Sequence, residues 1–306
     1  MNIDDQTRLG VGIIGVGKVG AVMGAALRDA GHAIVGVSAG SEASRDRADA
    51  MLPGVPVLDV ETLVERAELI LFTVPDDTIE ELVEGLAKLG LFSAGQIVVH
   101  CAGRHGLGVL QPATAAGAIP IALHPSLSFT GTSMDLPRLR QTTIGVTAPK
   151  PVLPIGQALA VEIGSEPIVL AEADRALYHS AIAHASNHTA AILAQAMETL
   201  SSLGVDDPSR VLASLVDASV SNVLRSGPRA LTGPVSRGDV ATVGAHVAAL
   251  SEFALTQGTA EIVDAYRAMA RATTARALEN GTIDESTAAQ LLDTLDAQDP
   301  LDAQHG

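Results

Sequence analysis

The chain has 306 residues, 47% of them hydrophobic, and its 19 basic against 35 acidic side chains give a formal net charge of −16. That length suits about two domains with buried cores, and the acidic field disfavours nucleic acid and anionic membrane surfaces as partners. Its single cysteine, Cys101, allows neither a disulfide within the chain nor a thiolate metal cluster.

No stretch approaches the ~18 to 20 consecutive apolar residues of a membrane-spanning helix. Met1–Asp5 carries acid where a secretory signal carries base. A soluble protein of the reducing cytoplasm is therefore expected. Four Phe, two Tyr and no Trp leave alanine to fill much of the apolar quota, which suits closely packed helices.

From residue 10 to about 147, short β-branched runs alternate with amphipathic stretches, the pattern of βαβ units and a parallel sheet. The predicted strands are Val11–Ile14, Ala33–Val37, Leu69–Val74, Gln96–His100, Ile119–Leu123 and Thr142–Val146. After the Pro-rich segment 149–154 come a helix and a short strand, Pro167–Leu170. Beyond Ala171 only helical periodicity remains, punctuated at Gly204, Gly227-Pro228 and Gly233-Pro234. The expected fold is an α/β N-terminal domain (1–165) with helices on both sides of a parallel sheet. An all-α domain (166–297) and a solvated tail (298–306) follow.

Gly15-Val16-Gly17-Lys18-Val19-Gly20 stands between the first strand and the helix that follows, the context that makes G-x-G-x-x-G a dinucleotide fingerprint. Gly15 permits the tight turn, Gly17 lets backbone approach a pyrophosphate, and Gly20 lets the helix pack on the strand. The helix N-terminus, with Lys18 and Val19, offers N–H groups and partial positive charge to the phosphates.

The second strand ends without the carboxylate that would hold an NAD ribose. Ser38, Ser41, Arg45 and Arg47 follow instead, a set that welcomes the 2′-phosphate of NADP(H). The same serines also suit a helix cap before Glu42.

Ligands of an open parallel sheet sit beyond the carboxyl ends of its strands. Val74 and Pro75 would line the dinucleotide cleft, and Asp77 would cap the next helix. His124-Pro125-Ser126 would lie near a nicotinamide. Cys101 reads as a packing residue, since no base can be assigned to it.

In the second half, Tyr178-His179-Ser180-Ala181-Ile182-Ala183-His184-Ala185-Ser186-Asn187-His188 places many polar groups on an alanine-rich helix expected to be buried. Such groups are costly there unless bonded, so the run marks a site. His184 and His188 have the i, i+4 spacing of metal ligands, but no third ligand is suggested, and no metal is expected. Further on, Arg237 stands close to Gly233 and Gly238, where its fork could meet a carboxylate. Asp239 fits a helix N-cap, with helix running to about Gln257.

Together these motifs resemble Rossmann-like oxidoreductases that carry domain of unknown function 2520, relatives of pyrroline-5-carboxylate reductase and the β-hydroxyacid dehydrogenases. The matching residues are the glycine turn, Val74-Pro75-Asp76, His124-Pro125 with Phe129, Tyr178-His179 with Ser186-Asn187, and Gly233-Pro234 with Arg237-Gly238-Asp239 and His246. The resemblance implies an NADP-dependent reductase, often a homodimer through its helical domain, and for some members an alternative type of ketopantoate reductase. The β-hydroxyacid dehydrogenases use a lysine four residues before an asparagine on the corresponding helix. Ala183 stands there in this chain, whose only lysines are Lys18, Lys88 and Lys150.

The expected function is NADPH-dependent reduction of a small 2-keto acid, an anionic substrate. Asn187 and Ser186 would hold the carbonyl, and Arg237 the carboxylate. His179 or His124 would donate the proton, because an ordinary histidine pKa of about 6.5 lies near working pH. His179 and Asn187 are about 12 Å apart along a helix, which keeps His124 in contention. Imine reduction, which can proceed on an already protonated iminium, and a non-catalytic NADP-binding regulator are the alternative readings.

Overall fold

A computed structural model describes residues 8–297; Met1–Asp5 and the 298–306 tail lie outside the described residues. The chain divides into two compact units, Met1–Ser186 and Asn187–Gly306.

In the first unit the order is β1 (Gly10–Ile14), α1 (Lys18–Asp29), β2 (Ala33–Ser38), α2 (Glu42–Met51), α3 (Val60–Arg66), β3 (Leu69–Phe72), α4 (Ile79–Lys88) and β4 (Ile97–His100). There follow α5 (Gln111–Ala115), β5 (Ile119–Pro125), α6 (Asp135–Leu139), β6 (Thr143–Thr147), α7 (Leu153–Glu162), β7 (Glu166–Val169) and α8 (Arg175–Ala183). Each strand run read from the sequence is a strand, with ends shifted by two residues at most.

The seven strands form one sheet in the order β2-β1-β3-β4-β5-β6-β7. The expected parallel arrangement needs one correction, because β5 and β6 pair antiparallel while the other neighbours are parallel. Residues 126–142 hold only the five-residue α6. The chain therefore turns back at the carboxyl end of β5 instead of crossing a sheet face, which a parallel return requires.

Strands β3 (LILF) and β4 (IVVH) are buried along their whole length, as continuous apolar runs in the middle of a two-faced sheet should be. Alternate residues feed opposite cores. Ile13, Leu71 and Val99 pack with α1 and α7 residues such as Val22 and Leu159, while Ile14, Ile70 and Val98 pack with Leu63, Val83 and Leu86 of α3 and α4. Strand order reverses at β1, which has β2 on one side and β3 on the other. In such a sheet a ligand is expected at this reversal, outside the carboxyl ends of β1 and β3.

The second unit comprises α9 (Thr189–Ser202), α10 (Pro208–Ser226), α11 (Val240–Gln257), α12 (Glu261–Glu279) and α13 (Glu285–Asp296), with no strand among its described residues. Asp207, Asp239 and Asp284 cap α10, α11 and α13 by accepting from the N–H of the residue three positions on. Asp239 thus takes its expected place, whereas Asp77 is not a cap; Thr78 precedes α4 and bonds the Pro75 carbonyl. Val243, Val247, Ala270 and Leu291 form the core between α11, α12 and α13.

The helix carrying the His/Asn run is not buried as expected. In α8 only Arg175 is buried, and α9 and α10 bury no residue at all. Apolar side chains such as Leu215 (63% exposed) and Leu224 (82%) instead face outward.

Candidate active site

At the carboxyl end of β1 the chain turns at Gly15, whose φ of +91° lies in the region that favours glycine. The N–H groups of Gly15 and Val16 donate to the Ser38 carbonyl. A Cβ on Gly20 would lie 2.4 Å from both the Gly15 carbonyl oxygen and Thr73 Oγ1. Thr73 Oγ1 itself donates to the Gly15 carbonyl at 2.6 Å, which locks the turn to the end of β3. Gly17 is the N-cap of α1 and provides no side-chain cap; the nearest atom to a Cβ there would be the Thr73 carbonyl at 3.9 Å. The start of α1 therefore presents uncapped backbone with room in front of it, which fits a pyrophosphate. Lys18 is exposed, Val19 and Val74 are half-buried, and Pro75 is exposed beyond β3.

Past β2, Ser38 is half-buried and Ser41 caps α2. Its hydroxyl accepts from Ser44 N–H, and Ser44 Oγ accepts from Ser41 N–H. Arg45 is exposed on α2. Arg47 reaches back to donate to the Val16 carbonyl at 3.3 Å, which sets this cation beside the glycine turn.

A second cluster stands at the carboxyl ends of β4 and β5, where His124, Tyr178 and His179 meet edge to face. The His124 ring centroid is 5.6 Å from that of Tyr178 and 5.5 Å from that of His179. Tyr178 OH is 3.3 Å from His124 Nδ1 and 2.8 Å from Ser126 Oγ. Burial, reinforced by His179 and Arg175, pushes His124 down to about 4, so it is neutral at pH 7.

The loop after β4 is held tightly. His100 Nδ1 accepts from Ala102 N–H (3.2 Å), and its Nε2 donates to the Gly106 carbonyl (2.8 Å). Burial lowers His100 to about 4 as well. Arg175, 1% exposed, donates to the Ala102 carbonyl (2.8 Å) and to Thr147 Oγ1 (3.0 Å). Glu172 accepts from Leu107 N–H at 2.8 Å. These ties press Gly103 against the rings of His179 and His124. Burial raises the Cys101 thiol to about 12, which keeps it protonated and unreactive at neutral pH.

Ser186 Oγ lies 3.2 Å from Ser128 Oγ in the same unit. In the second unit, Asn187 is exposed in the wide π-turn His184–His188, and Arg237 is exposed in a short turn closed by Gly238 at φ +74°. His246 Nδ1 pairs with Tyr266 OH at 2.9 Å. Among the described residues, no group of three or more His, Cys, Asp or Glu is placed to hold a metal ion, and no helix is long and apolar enough to cross a membrane.

Residues 2–125 match the family model of a Rossmann-like domain, and residues 142–273 match that of the domain of unknown function DUF2520. The chain is a Rossmann-like domain joined to a DUF2520 domain. The DUF2520 match begins before β6, so it takes in the last two strands of the sheet as well as Tyr178 and His179.

Among solved structures, a Bacteroides fragilis protein named as a candidate NADP oxidoreductase is 20% identical, with 87% of this chain and 98% of that one covered and a TM-score of 0.74. The NADP-bound pyrroline carboxylate reductase of Plasmodium falciparum is 12% identical, with 88% and 98% covered and a TM-score of 0.57. An imine reductase from a Pseudomonas species is 15% identical, with 94% and 92% covered and a TM-score of 0.57. No curated protein matches the chain at a significant level.

The Rossmann-like domain thus brings the glycine turn, Ser38, Ser41, Arg45, Val74 and Pro75 to one sheet edge, as their positions in the sequence suggest. The sequence reading missed Arg175 and the contact between the hydroxyls of Ser126 and Tyr178. Arg175 follows Glu172-Ala173-Asp174 and reads as an exposed helix start. Tyr178 is part of the family motif, but only the folded chain shows what its hydroxyl meets.

Proposed function

We propose that the protein is an NADPH-dependent reductase of a small 2-keto acid, with ketopantoate the first candidate. One relationship carries this reading: an open glycine turn and a cluster of His124, Tyr178 and His179 share the carboxyl edge of one sheet. Strands spaced about 4.8 Å apart set the ends of β1 and β5 three spacings, roughly 14 Å, from each other. A dinucleotide whose pyrophosphate rests on the turn extends along this edge toward His124. NADP(H) supplies the hydride when bound.

The chain's own residues then divide the remaining work. Gly15, Gly17, Gly20, Lys18 and Val19 hold the pyrophosphate, while Ser38, Ser41 and Arg45 meet the 2′-phosphate. Val74 and Pro75 wall the cleft. His124 and His179 present ring nitrogens for the substrate oxygen. Ser186 and Asn187 orient the carbonyl, and Arg237 offers a bidentate partner to the carboxylate. The protein works as a cytoplasmic homodimer through the DUF2520 domain, a reading supported by α9 and α10, which bury no residue within one chain.

Imine reduction is the second reading, and the burial of His124 favours it: a histidine lowered to about 4 is scarcely protonated at pH 7, and an iminium substrate needs no acid. The test is NADPH oxidation across a panel of 2-keto acids and cyclic imines. Turnover of keto acids is expected, with Asn187→Ala abolishing it and leaving NADPH binding intact. Turnover of imines alone selects the second reading.

A further inference from the structure

His124 does not stand alone. In the antiparallel register of β5 and β6, His124 faces Gly145, and a Cβ at Gly145 would lie 3.0 Å from the Tyr178 hydroxyl oxygen. The missing side chain leaves the space that this hydroxyl occupies. A line of hydroxyls runs into it: Thr143 Oγ1 donates to Ser126 Oγ (3.4 Å), which is 2.8 Å from Tyr178 OH, itself 3.3 Å from His124 Nδ1.

The direction of the chain follows from His124. Its protonated form is disfavoured by burial, so its Nδ1 is an acceptor opposite a hydroxyl donor. Tyr178 therefore donates to Nδ1 and accepts from Ser126, and the His124 proton sits on Nε2. At pH 7 a group lowered to about 4 is imidazolium in roughly one molecule in a thousand. Delivery of a proton from the neutral ring needs a second acid behind it.

We propose that Tyr178 is that acid, a relay and positioning residue that sends a proton through His124 to the oxygen of the reduced carbonyl. The proposal rests on the keto-acid reading above. As hydride reaches the carbonyl carbon, the C=O π pair moves to oxygen, which takes the proton from His124 Nε2. The Tyr178 O–H proton moves to Nδ1 and leaves a phenolate. The ring resets by returning the Nδ1 proton to the phenolate and taking one proton from water at Nε2.

The surroundings suit a transient anion. Arg175, one turn earlier on α8, is buried with no carboxylate hydrogen-bonded to it among the described residues and with its Nε lacking a hydrogen-bond partner, while the nearby Glu172 carboxylate acts on it electrostatically. His179 comes from α8; His100, Cys101 and His105 come from β4 and its loop; Glu172 precedes α8 and bonds Leu107 N–H. His100 and Cys101 are neutral at pH 7, which leaves Arg175 as the buried positive charge of the cluster.

With Tyr178 and Tyr266 the only tyrosines and no tryptophan, phenolate absorbance of the whole protein reports two groups, assigned by Tyr178→Phe and Tyr266→Phe. Nitrogen-15 NMR of histidine-labelled wild type should show His124 as the Nε2–H tautomer, and Tyr178→Phe should mix the tautomers. The same variant should lose roughly a hundredfold or more in kcat with KM within about threefold. The wild-type kcat should show no acid limb near pH 6.5, and its alkaline limb should coincide with the Tyr178 phenolate titration. An Nδ1–H tautomer or an imidazolium at pH 7 in the wild type overturns the relay without any variant. Carbonyl turnover that survives Tyr178→Phe overturns the relay alone; absence of carbonyl turnover by the wild type, with the Nε2–H tautomer present, overturns the keto-acid reading as well.

Discussion

Gly103 and His179 are in contact that admits no side chain between them: a Cβ on Gly103 would lie 2.3 Å from His179 Cδ2 and 2.8 Å from His124 Nε2. The loop cannot yield easily, because His100, Arg175 and Glu172 hold it from three sides. Gly103→Ala should therefore displace the two imidazoles. We expect kcat for keto-acid reduction to fall by about tenfold or more, since small misplacements of reacting groups are costly, while NADPH affinity changes little. Overpacking should cost about 1–3 kcal/mol of stability. Calorimetry beside steady-state kinetics checks this, and unchanged kcat would remove these rings from the reaction.

Much of the sheet was legible because some strands are continuous apolar runs, as Leu69–Phe72, and Val11–Ile14 stands directly before the glycine turn. The glycine turn was legible because its chemistry is local. The reversal of β6 was not: a β-branched run predicts a strand but carries no direction, and direction here follows from how little structure residues 126–142 form. Arg175 was invisible for a related reason. Its burial depends on the Ala102 carbonyl and Thr147, partners many positions away, while its neighbours Glu172 and Asp174 are exposed acids. The exposure of α8, α9 and α10 was also hidden, because alanine-rich periodicity does not say whether the covering surface belongs to the same chain.

The glycines of the turn separate folding from ligand binding. Gly17 has φ −77° and open space where a Cβ would go, so Gly17→Ala should leave the stability of the free protein within about 0.5 kcal/mol. Its methyl group would stand where a pyrophosphate must approach, and NADPH affinity should fall about tenfold or more. At Gly20, where a Cβ would lie 2.4 Å from Thr73 Oγ1, alanine should destabilise the protein itself by about 1–3 kcal/mol. Thermal melts with and without NADPH distinguish the two. A Gly17→Ala protein that binds NADPH normally would show that the turn does not hold the phosphates.

His100 gives stability a defined dependence on pH. The residue is fully buried, and burial lowers it from 6.5 to about 4. Above about pH 6.5 it is neutral in both folded and unfolded chains and contributes no pH dependence. As pH falls from 6.5 toward 4, the unfolded chain takes up a proton that the folded chain refuses, so stability declines with falling pH. The full difference corresponds to about 3 kcal/mol. Urea midpoints measured from pH 7.5 to 4.5 should fall across this window, and His100→Gln, which does not titrate there, should flatten the slope. An unaltered slope in that variant would place the titrating groups elsewhere.

Cofactor preference should turn on a cation at the end of β2. Ser41 caps α2 through Ser44, so Ser41→Ala should cost about 1 kcal/mol of stability and, as loss of a neutral contact to the 2′-phosphate, weaken NADPH binding less than loss of Arg45 does. Arg45 is exposed on the first turn of α2, with no side-chain hydrogen bond or ion pair among the described residues, and is free to meet a 2′-phosphate. A charge-assisted hydrogen bond contributes about 1.5–3 kcal/mol, lessened at an exposed site by salt. Arg45→Gln should therefore weaken NADPH binding about tenfold and leave NADH binding unchanged, with the difference shrinking as salt is raised. Arg47 is the internal comparison, because its guanidinium bonds the Val16 carbonyl and its loss should loosen the glycine turn for both cofactors. If Arg47→Gln abolishes the preference and Arg45→Gln does not, the 2′-phosphate sits on the turn side of α2 and the assignment to Arg45 is wrong.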